Sequence, residues 1–283
     1  QVKNIALDTV HLGITSKIIL KEIQSFYDDF LMWWWYPSVL IAATADEKMR
    51  ALRSIIQWVY EKDVWFVFNG YDMVQFEPML HLAYYATKSV YKISSLAQFA
   101  DVKSSLVQQY MDFFEHNHLI ERIDYAKTSA NAKEIHHQKK LLFCDTGIMT
   151  ALTKDMTTKL TSLRYQMSFL YREMRLVPWI HTITTYKKIN GSVIDFVVTL
   201  SSGKRIIICC EHDQRVVLPK VVPSYIAATG ENVIGIIKTG RLVNTMKIVD
   251  IWSYTLPFII TQPFLVTEAI RFLIARHSSV NSQ

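Results

Sequence analysis

Apolar residues recur at helical spacing through the first quarter of the chain. Residues 16–34 follow a helical period, and Ser16 is placed to cap the N-terminus of that helix. A second helical segment lies in residues 45–68, where Leu52, Ile56 and Val59 fall on one face. The pattern therefore predicts a helical N-terminal region.

Residues 92–125 carry a more specific pattern. A short apolar helix with Leu96, Ala97 and Phe99 facing inward is followed by a turn at Val102 and a longer helix that starts at Ser104 or Ser105. The segment "HLIERIDY" then alternates like the first strand of a wing. This order is typical of a winged helix-turn-helix.

The longer helix, residues 103–117, has little positive charge for a DNA-reading element. Lys103 is its only lysine, set against Asp112 and Glu115, whereas a helix in the major groove is expected to bring cations to the phosphates. Lys103 could contact phosphate, and Gln108 could read base edges or be an ordinary surface residue. A role in packing or oligomerisation is therefore the alternative to DNA binding.

From about residue 160 the pattern alternates between helix and strand. One helix is followed by three strands, with turns at "NG" and "SSGK" between them, then by a further helix and a buried strand. The order αβββαβ predicts a mixed sheet flanked by helices. The chain is thus expected to be α+β or α/β, with a helical region in residues 1–75, a winged helix-turn-helix in 76–153 and a sheet domain in 154–283.

Charge and cysteine content indicate the kind of partner and the cellular compartment. Residues 154–283 hold 16 Lys and Arg against 8 Asp and Glu, so the basic surplus lies in this half and favours polyanions. Three cysteines, two of them adjacent, suggest a reducing compartment, and we expect a cytoplasmic protein. Prolines interrupt both long apolar runs, so no membrane span or membrane partner is expected.

Three segments resemble one family. They are "DFLMWWWYPSVL" (29–40), "KKLLFCDTGIMTAL" (139–152) and "NGSVIDFVV" (190–198). Their order is similar to the C-terminal part of prokaryotic AAA+ ATPases that carry a winged helix and then a domain resembling PD-(D/E)XK restriction endonucleases. The family's P-loop motif does not occur in this sequence, so we expect no ATP hydrolysis by the chain as given. An upstream ATPase module is one expected partner.

The resemblance also implies a catalytic pattern: an Asp on the second strand and Glu-x-Lys on the third, holding Mg²⁺ or Mn²⁺. Asp195 matches the first position, although a structural ion pair would equally explain a carboxylate inside "VIDFVV". The Glu-x-Lys positions fall on Cys210, Glu211 and His212. A shift by one residue brings Glu211 to the Glu position but places Asp213 where the Lys belongs.

Two ways of completing the site remain open. Lys204 or Lys220 could act as a migrated lysine beside Asp195 and Glu211. Alternatively, Asp195, Cys210 and His212 could hold zinc, since Cys210 and His212 point to the same side of a strand.

The incomplete set favours a binding or scaffolding module over an enzyme. Its expected partner is nucleic acid, DNA in particular, or another protein. A metal-dependent DNA nuclease using Asp195 and Glu211 is the first alternative, and a fragment of an ATPase whose P-loop lies upstream is the second. The residues expected to contact nucleic acid are Lys103, Gln108, Lys187, Lys188, Arg205 and Arg215.

Overall fold

The computed structural model describes twelve stretches of the chain. These are residues 2–5, 17–33, 36–68, 71–87, 91–126, 138–153, 159–188, 192–211, 218–229, 232–239, 245–251 and 254–280. Their helices and strands confirm the predicted mixed α+β class. Within these stretches, no helix has both the length and the apolar character needed to cross a membrane.

The described helices are α1 (Lys17–Trp33), α2 (Pro37–Leu40), α3 (Ala45–Val59), α4 (Trp65–Val67), α5 (Tyr71–Val74), α6 (Phe76–Ala86), α7 (Ile93–Ala100), α8 (Ser104–His116), α9 (Thr146–Leu152), α10 (Lys159–Arg175), α11 (Val221–Thr229) and α12 (Val266–Val280). A π-helical turn, Tyr60–Val64, joins α3 to α4, and a 3₁₀ turn, Pro263–Leu265, precedes α12. The described strands are β1 (Val2–Ile5), β2 (Ile120–Asp124), β3 (Lys139–Phe143), β4 (Ile180–Lys187), β5 (Val193–Leu200), β6 (Arg205–Cys210), β7 (Val233–Thr239), β8 (Thr245–Ile251) and β9 (Tyr254–Thr261).

The chain divides into two compact units. The sheet unit comprises residues 1–25, 124–136 and 170–283, and the helical unit comprises residues 26–123 and 137–169. Residues from the first two predicted regions, 1–75 and 76–153, thus occur together in the helical unit.

In the helical unit, α7 and α8 lie in the order that the sequence predicts for a helix-turn-helix. Asp101 ends α7 in the left-handed conformation with φ of 52°, and α8 begins three residues later at Ser104. Strands β2 and β3 follow as a two-stranded sheet, and Tyr91 bridges to Lys139 of β3. The expectation that Phe99 faces inward is wrong, because its side chain is 77% exposed.

One arginine of β2 forms ion pairs with α8. The Arg122 guanidinium lies 2.7 Å from Asp112 Oδ1 and also binds Glu115 Oε2, so it bonds two carboxylates of the helix. Asp112 and Glu115 are the two acidic residues that outnumber Lys103 in this helical segment. Their pairing with Arg122 indicates that they serve the packing of the helical unit.

The "DTG" segment forms the start of α9. The Asp145 Oδ1 accepts hydrogen bonds from the N–H groups of Gly147 at 2.6 Å and Ile148 at 3.2 Å, which caps the helix. A Cβ at Gly147 would lie 2.7 Å from the Trp33 carbonyl oxygen and 2.8 Å from Leu52 Cδ2. Glycine is therefore required because α1 and α3 approach the backbone of α9 too closely for a side chain.

The sheet unit contains a seven-stranded mixed sheet in the order β1-β8-β9-β7-β6-β5-β4. The predicted αβββαβ order is present as α10, β4, β5, β6, α11 and β7. Strands β6, β7 and β9 are parallel to one another, whereas β4–β5, β5–β6, β8–β9 and β1–β8 are antiparallel. Strands β1, β8 and β9 extend the sheet beyond the prediction.

Burial explains why the central strands show continuous apolar runs. Side chains of β5, β6, β7 and β9 pack with α11 in one cluster that includes Val197, Ile207, Tyr225 and Ile236. On β5, Phe196 stacks on Tyr171 of α10 with ring centroids 6.3 Å apart. Both faces of these strands are thus covered by apolar side chains.

Candidate functional site

Strand ends from five strands meet at one edge of the sheet, which we call the carboxyl edge. The parallel strands β6, β7 and β9 all end there, with Cys210 opposite Thr239 and Thr239 opposite Thr261. Because β5 is antiparallel to β6 and to β4, the start of β5 and the end of β4 lie at the same edge. Ligand sites of open sheets that contain parallel strands lie beyond the carboxyl ends of those strands.

Asp195 lies at a bulge beside this edge. Thr184 pairs with Val197 and Tyr186 pairs with Ile194, so β5 holds one residue more than β4 between the two pairs. Such a bulge turns a side chain away from its regular alternation and is common next to functional sites. Asp195 is only partly buried, which leaves its carboxylate within reach of solvent.

The Asp195 carboxylate contacts the end of β6 directly. The N–H of Cys210 donates a hydrogen bond of 2.8 Å to Asp195 Oδ2. Backbone pairing between the two strands runs only from Phe196–Ile208 to Thr199–Arg205, so the carboxylate accepts a bond beyond the end of that ladder. Asp195 is thereby bonded to the residue that directly precedes Glu211 in the chain.

Glu211 forms an ion pair with a lysine from the neighbouring strand. Lys238 Nζ lies 2.8 Å from Glu211 Oε2. The lysine side chain is 1% exposed, whereas that of Glu211 is 40% exposed. A buried ammonium requires such a partner, because an uncompensated charge costs several kcal/mol away from water.

Tyr125 is a further polar group near Asp195. Its backbone bridges to Thr185 of β4, next to the bulge, and the N–H of Ala126 donates to the Thr185 carbonyl at 2.6 Å. Burial raises the pKa of the Tyr125 phenol, and the nearby Asp195 carboxylate raises it further. The phenol therefore stays protonated beside the carboxylate.

The lysine that the sequence suggests for the site lies elsewhere. Lys204 precedes β6 and its carbonyl accepts from Leu200 N–H at 2.8 Å in the turn after β5. Glu211 follows the other end of β6, so Lys204 is about 20 Å away at the usual rise per residue. The structure brings together Asp195, Glu211 and Lys238, and it does not bring Lys204 to them.

The residues expected to contact nucleic acid lie in separate places. Lys187 ends β4 at the carboxyl edge, and Lys188 Nζ beside it donates to Ser224 Oγ at 3.2 Å. Arg205 begins β6 at the opposite edge, where its Nη1 lies 3.5 Å from the Tyr225 hydroxyl. Arg215 lies outside the described residues.

The other two candidates belong to the helical unit. Lys103 is the exposed N-cap residue of α8. Gln108 Nε2 donates to Asp112 Oδ1 at 2.8 Å, so this amide is used within its own helix.

The donor set at the carboxyl edge suits a hard cation better than zinc. Of the predicted zinc ligands, Cys210 is buried in the sheet and His212 lies outside the described residues. Across the described part of the chain, no group of three or more His, Cys, Asp and Glu side chains is arranged to hold a metal. Mg²⁺, however, is commonly held by one or two carboxylates together with water and substrate phosphate oxygens. Asp195 and Glu211 are two carboxylates at this edge.

Lys238 is the main functional candidate that the sequence patterns do not indicate. It ends an apolar run and looks like the point where a strand reaches solvent. The signal that could have identified it is the match between "RIIICCE" and "NVIGIIK", two buried strands that end in opposite charges. In the parallel register Lys238 lies opposite Cys209, and Glu211 follows two residues later at the same edge.

Comparison with known proteins gives one match. Residues 25–159 match the model of a domain of unknown function, DUF8612. This is slightly less than half of the chain, and it does not include β4 to β9. No curated protein and no solved structure matches the chain.

Proposed function

We propose that the carboxyl edge of the sheet unit is a metal-dependent phosphodiester hydrolysis site that acts on nucleic acid. The observation that carries the proposal is the ion pair of Glu211 with Lys238, held next to the Asp195 carboxylate. Two carboxylates and a lysine are the groups that this chemistry requires, because charge builds up on the phosphate as it is attacked. The lysine comes from β7 instead of β6.

Each of these residues has a distinct task in the proposal. Asp195 and Glu211 would hold a Mg²⁺ ion, which when bound polarises the phosphate and activates water. Lys238 offsets negative charge on the phosphate oxygens, and its buried stem fixes the ammonium in place. The hydrogen bond from Cys210 N–H orients the Asp195 carboxylate toward the end of β6.

Basic residues near this edge support a nucleic-acid substrate. Lys187 and Lys188 lie at the end of β4, close to the start of β5 that carries Asp195. The half of the chain that contains the sheet holds the whole basic surplus. A phosphate backbone would be attracted to this face in a salt-dependent manner.

Incubation of supercoiled plasmid with the protein and Mg²⁺ or Mn²⁺ tests the proposal. The expected result is metal-dependent nicking by the wild type and none by an Asp195→Asn variant that retains its fold. Equal nicking by both proteins would point to a contaminating nuclease and refute the assignment.

Binding without cleavage is the second candidate, and one observation favours it. Both carboxylates already have partners. The Cys210 N–H donates a hydrogen bond to Asp195, and the Lys238 ammonium forms an ion pair with Glu211. A scaffold would keep these contacts permanently. Salt-titrated DNA binding by a wild type that never cleaves in any metal would support this candidate over the first.

The relationship to the AAA+ ATPase family is also a proposal. It is supported by the helix-turn-helix order in the helical unit and by αβββαβ in the sheet unit. An upstream ATPase module is the partner that it suggests, and a pull-down with such a module tests it; failure to bind at low salt would count against it.

A further inference from the structure

A cleft in the helical unit has no part in the proposed hydrolysis. Its volume is about 660 Å³, within the range of about 300–1,000 Å³ that small-molecule sites occupy. Three walls form it: one face of α3 that continues into the π-helical turn, the adjoining parts of α5 and α6, and the end of α9. All the residues that line the cleft belong to the helical unit. They are therefore different residues from those of the carboxyl edge.

The α3 wall of the cleft is a single helical face. Arg53, Ile56, Gln57 and Tyr60 follow the spacing i, i+3, i+4 and i+7, which places them in a row along the helix. Tyr60 is also the first residue of the π-helical turn. Single π-helical turns beside α-helices occur frequently at functional sites. The irregular turn thus coincides with the wall of the cleft, as expected for a binding site.

The other walls of the cleft are mainly apolar. Phe76 is buried, and the centroid of its ring lies 5.6 Å from that of Tyr60. Val74 lines the cleft although its side chain is 59% exposed, and Leu152 contributes the end of α9. A ligand with an apolar body would remove this surface from water, which favours binding.

The charged groups in the cleft select the polar end of the ligand. Among the described residues, the exposed Arg53 guanidinium has no ion-pair partner. A guanidinium matches a carboxylate through two parallel N–H···O bonds. Glu77 also lines the cleft, where its carboxylate is 78% exposed and lies 3.9 Å from His81 Nε2. A doubly charged phosphate monoester suits the cleft less well than a carboxylate, because Glu77 would repel its second charge.

We propose that this cleft binds a small amphipathic carboxylate. The carboxylate pairs with Arg53, and the apolar body packs against Tyr60, Phe76 and Leu152. This site goes beyond the proposed function, since hydrolysis at the carboxyl edge neither requires it nor depends on its ligand. It gives the helical unit a ligand-binding role of its own.

Two probes that share the same rings but differ in charge test the proposal. Isothermal titration calorimetry compares naphthoate, an amphipathic carboxylate, with naphthamide, its uncharged counterpart. The wild type is expected to bind naphthoate about tenfold more tightly, the gain that charge-assisted hydrogen bonds to a guanidinium give. Equal affinity for the two probes, or absence of naphthoate binding, would overturn the proposal.

Arginine substitutions on α3 test which residue binds the carboxylate. Arg53→Met keeps an apolar stem and should abolish the preference for naphthoate while leaving the affinity for naphthamide unchanged. Arg50→Met removes an exposed guanidinium of the same helix that does not line the cleft, so it should keep the preference. A preference that survives Arg53→Met would show that the carboxylate binds elsewhere, and it would refute the proposed site.

A matched pair of valines tests the position of the bound probe. Val74 and Val67 are each 59% exposed, but only Val74 of the two lines the cleft. Val74→Asp adds a negative charge beside the ligand and should weaken binding of naphthoate more than that of naphthamide. Val67→Asp should leave both affinities unchanged. Both positions are exposed, so both variants should fold, which circular dichroism checks; equal naphthoate affinities in the two variants would contradict the proposed site.

Discussion

Lys238 on β7 and Glu211 at the end of β6 form an ion pair with 2.8 Å between Nζ and Oε2. The pair links two parallel strands at the edge where Asp195 also binds the end of β6. A lysine that is 1% exposed costs stability wherever it is placed inside a sheet. Its ion pair with Glu211, at the strand end that Asp195 also binds, is the feature from which the proposed function follows.

The two halves of this ion pair should respond differently to mutation. Glu211→Gln leaves the buried Lys238 ammonium without this carboxylate and should lower the free energy of unfolding by about 3 kcal/mol. Lys238→Met should cost less, because the exposed Glu211 carboxylate can turn to water. Urea denaturation of both variants measures the difference, and a larger loss for Lys238→Met would contradict the assigned burial.

Replacement of Gly147 should destabilise the helical unit. In Gly147→Ala the new Cβ meets the Trp33 carbonyl at 2.7 Å, and this backbone oxygen cannot move as a flexible side chain can. Overpacking of this kind costs about 1–3 kcal/mol. Thermal unfolding provides the measurement.

A second glycine provides the control for that experiment. Gly203 has a φ of 77°, and a Cβ added there would meet no described atom within 4 Å. Gly203→Asn therefore adds no clash and introduces a residue that tolerates this conformation. Equal Tm losses in Gly147→Ala and Gly203→Asn would show that close packing at Gly147 is not the cause.

Alkaline pH should unfold the protein through its buried tyrosines. Burial raises the pKa of Tyr91, Tyr125 and Tyr165 above the ordinary value of about 10. Since each phenol loses its proton more readily in the unfolded chain, its contribution to stability is complete below about pH 10 and is lost as the pH rises toward the native pKa.

A single phenylalanine substitution tests that linkage. Tyr125→Phe removes the phenol beside Asp195, so stability should fall less steeply with pH above about 10 than in the wild type. The comparison variant is Tyr85→Phe, which changes a tyrosine that is 51% exposed. Identical slopes for wild type and Tyr125→Phe would contradict the raised pKa of Tyr125.

Lysines at the end of β4 should set the salt dependence of DNA binding. Replacing Lys187 and Lys188 together by Ala should weaken binding and lower the slope of log affinity against log salt by about 1 for each phosphate that is no longer neutralised. Exposed Lys62, on the π-helical turn of the helical unit, is the matched control. An unchanged slope in the Lys187→Ala, Lys188→Ala variant would show that DNA binds at a surface other than the end of β4.

Local sequence patterns predicted the strands that are buried on both faces. The runs "VIDFVV", "RIIIC" and "NVIGIIK" are long enough, and sufficiently rich in β-branched residues, to specify β5, β6 and β7. By contrast, β9 contains Pro257, which argues against a strand in sequence alone, and it is separated from the 3₁₀ turn at Pro263 only by Gln262. Its place in the sheet depends on pairing with β7 and β8.

Only the part of the candidate site that lies within short sequence motifs could be predicted, because the rest depends on how distant strands pair. Asp195 and Glu211 follow from a local resemblance, because each lies within a short motif. Lys238 becomes a neighbour of Glu211 only through the parallel register of β6 and β7, which α11 connects and no local pattern specifies. The substitute chosen from sequence, Lys204, is close to Glu211 along the chain but at the wrong end of a strand.

The nicking rate of a Lys238→Met variant is the decisive measurement for the proposed site. Single-turnover nicking of supercoiled plasmid in Mg²⁺ is compared among wild type, Lys238→Met and Lys62→Met, each first shown by circular dichroism to be folded. We predict nicking by the wild type and Lys62→Met at equal rates, and a loss of about a hundredfold in Lys238→Met, as expected for removal of a charge that stabilises the transition state. Nicking by Lys238→Met at the wild-type rate, or no nicking by the wild type in Mg²⁺ or Mn²⁺, would contradict the proposed hydrolysis.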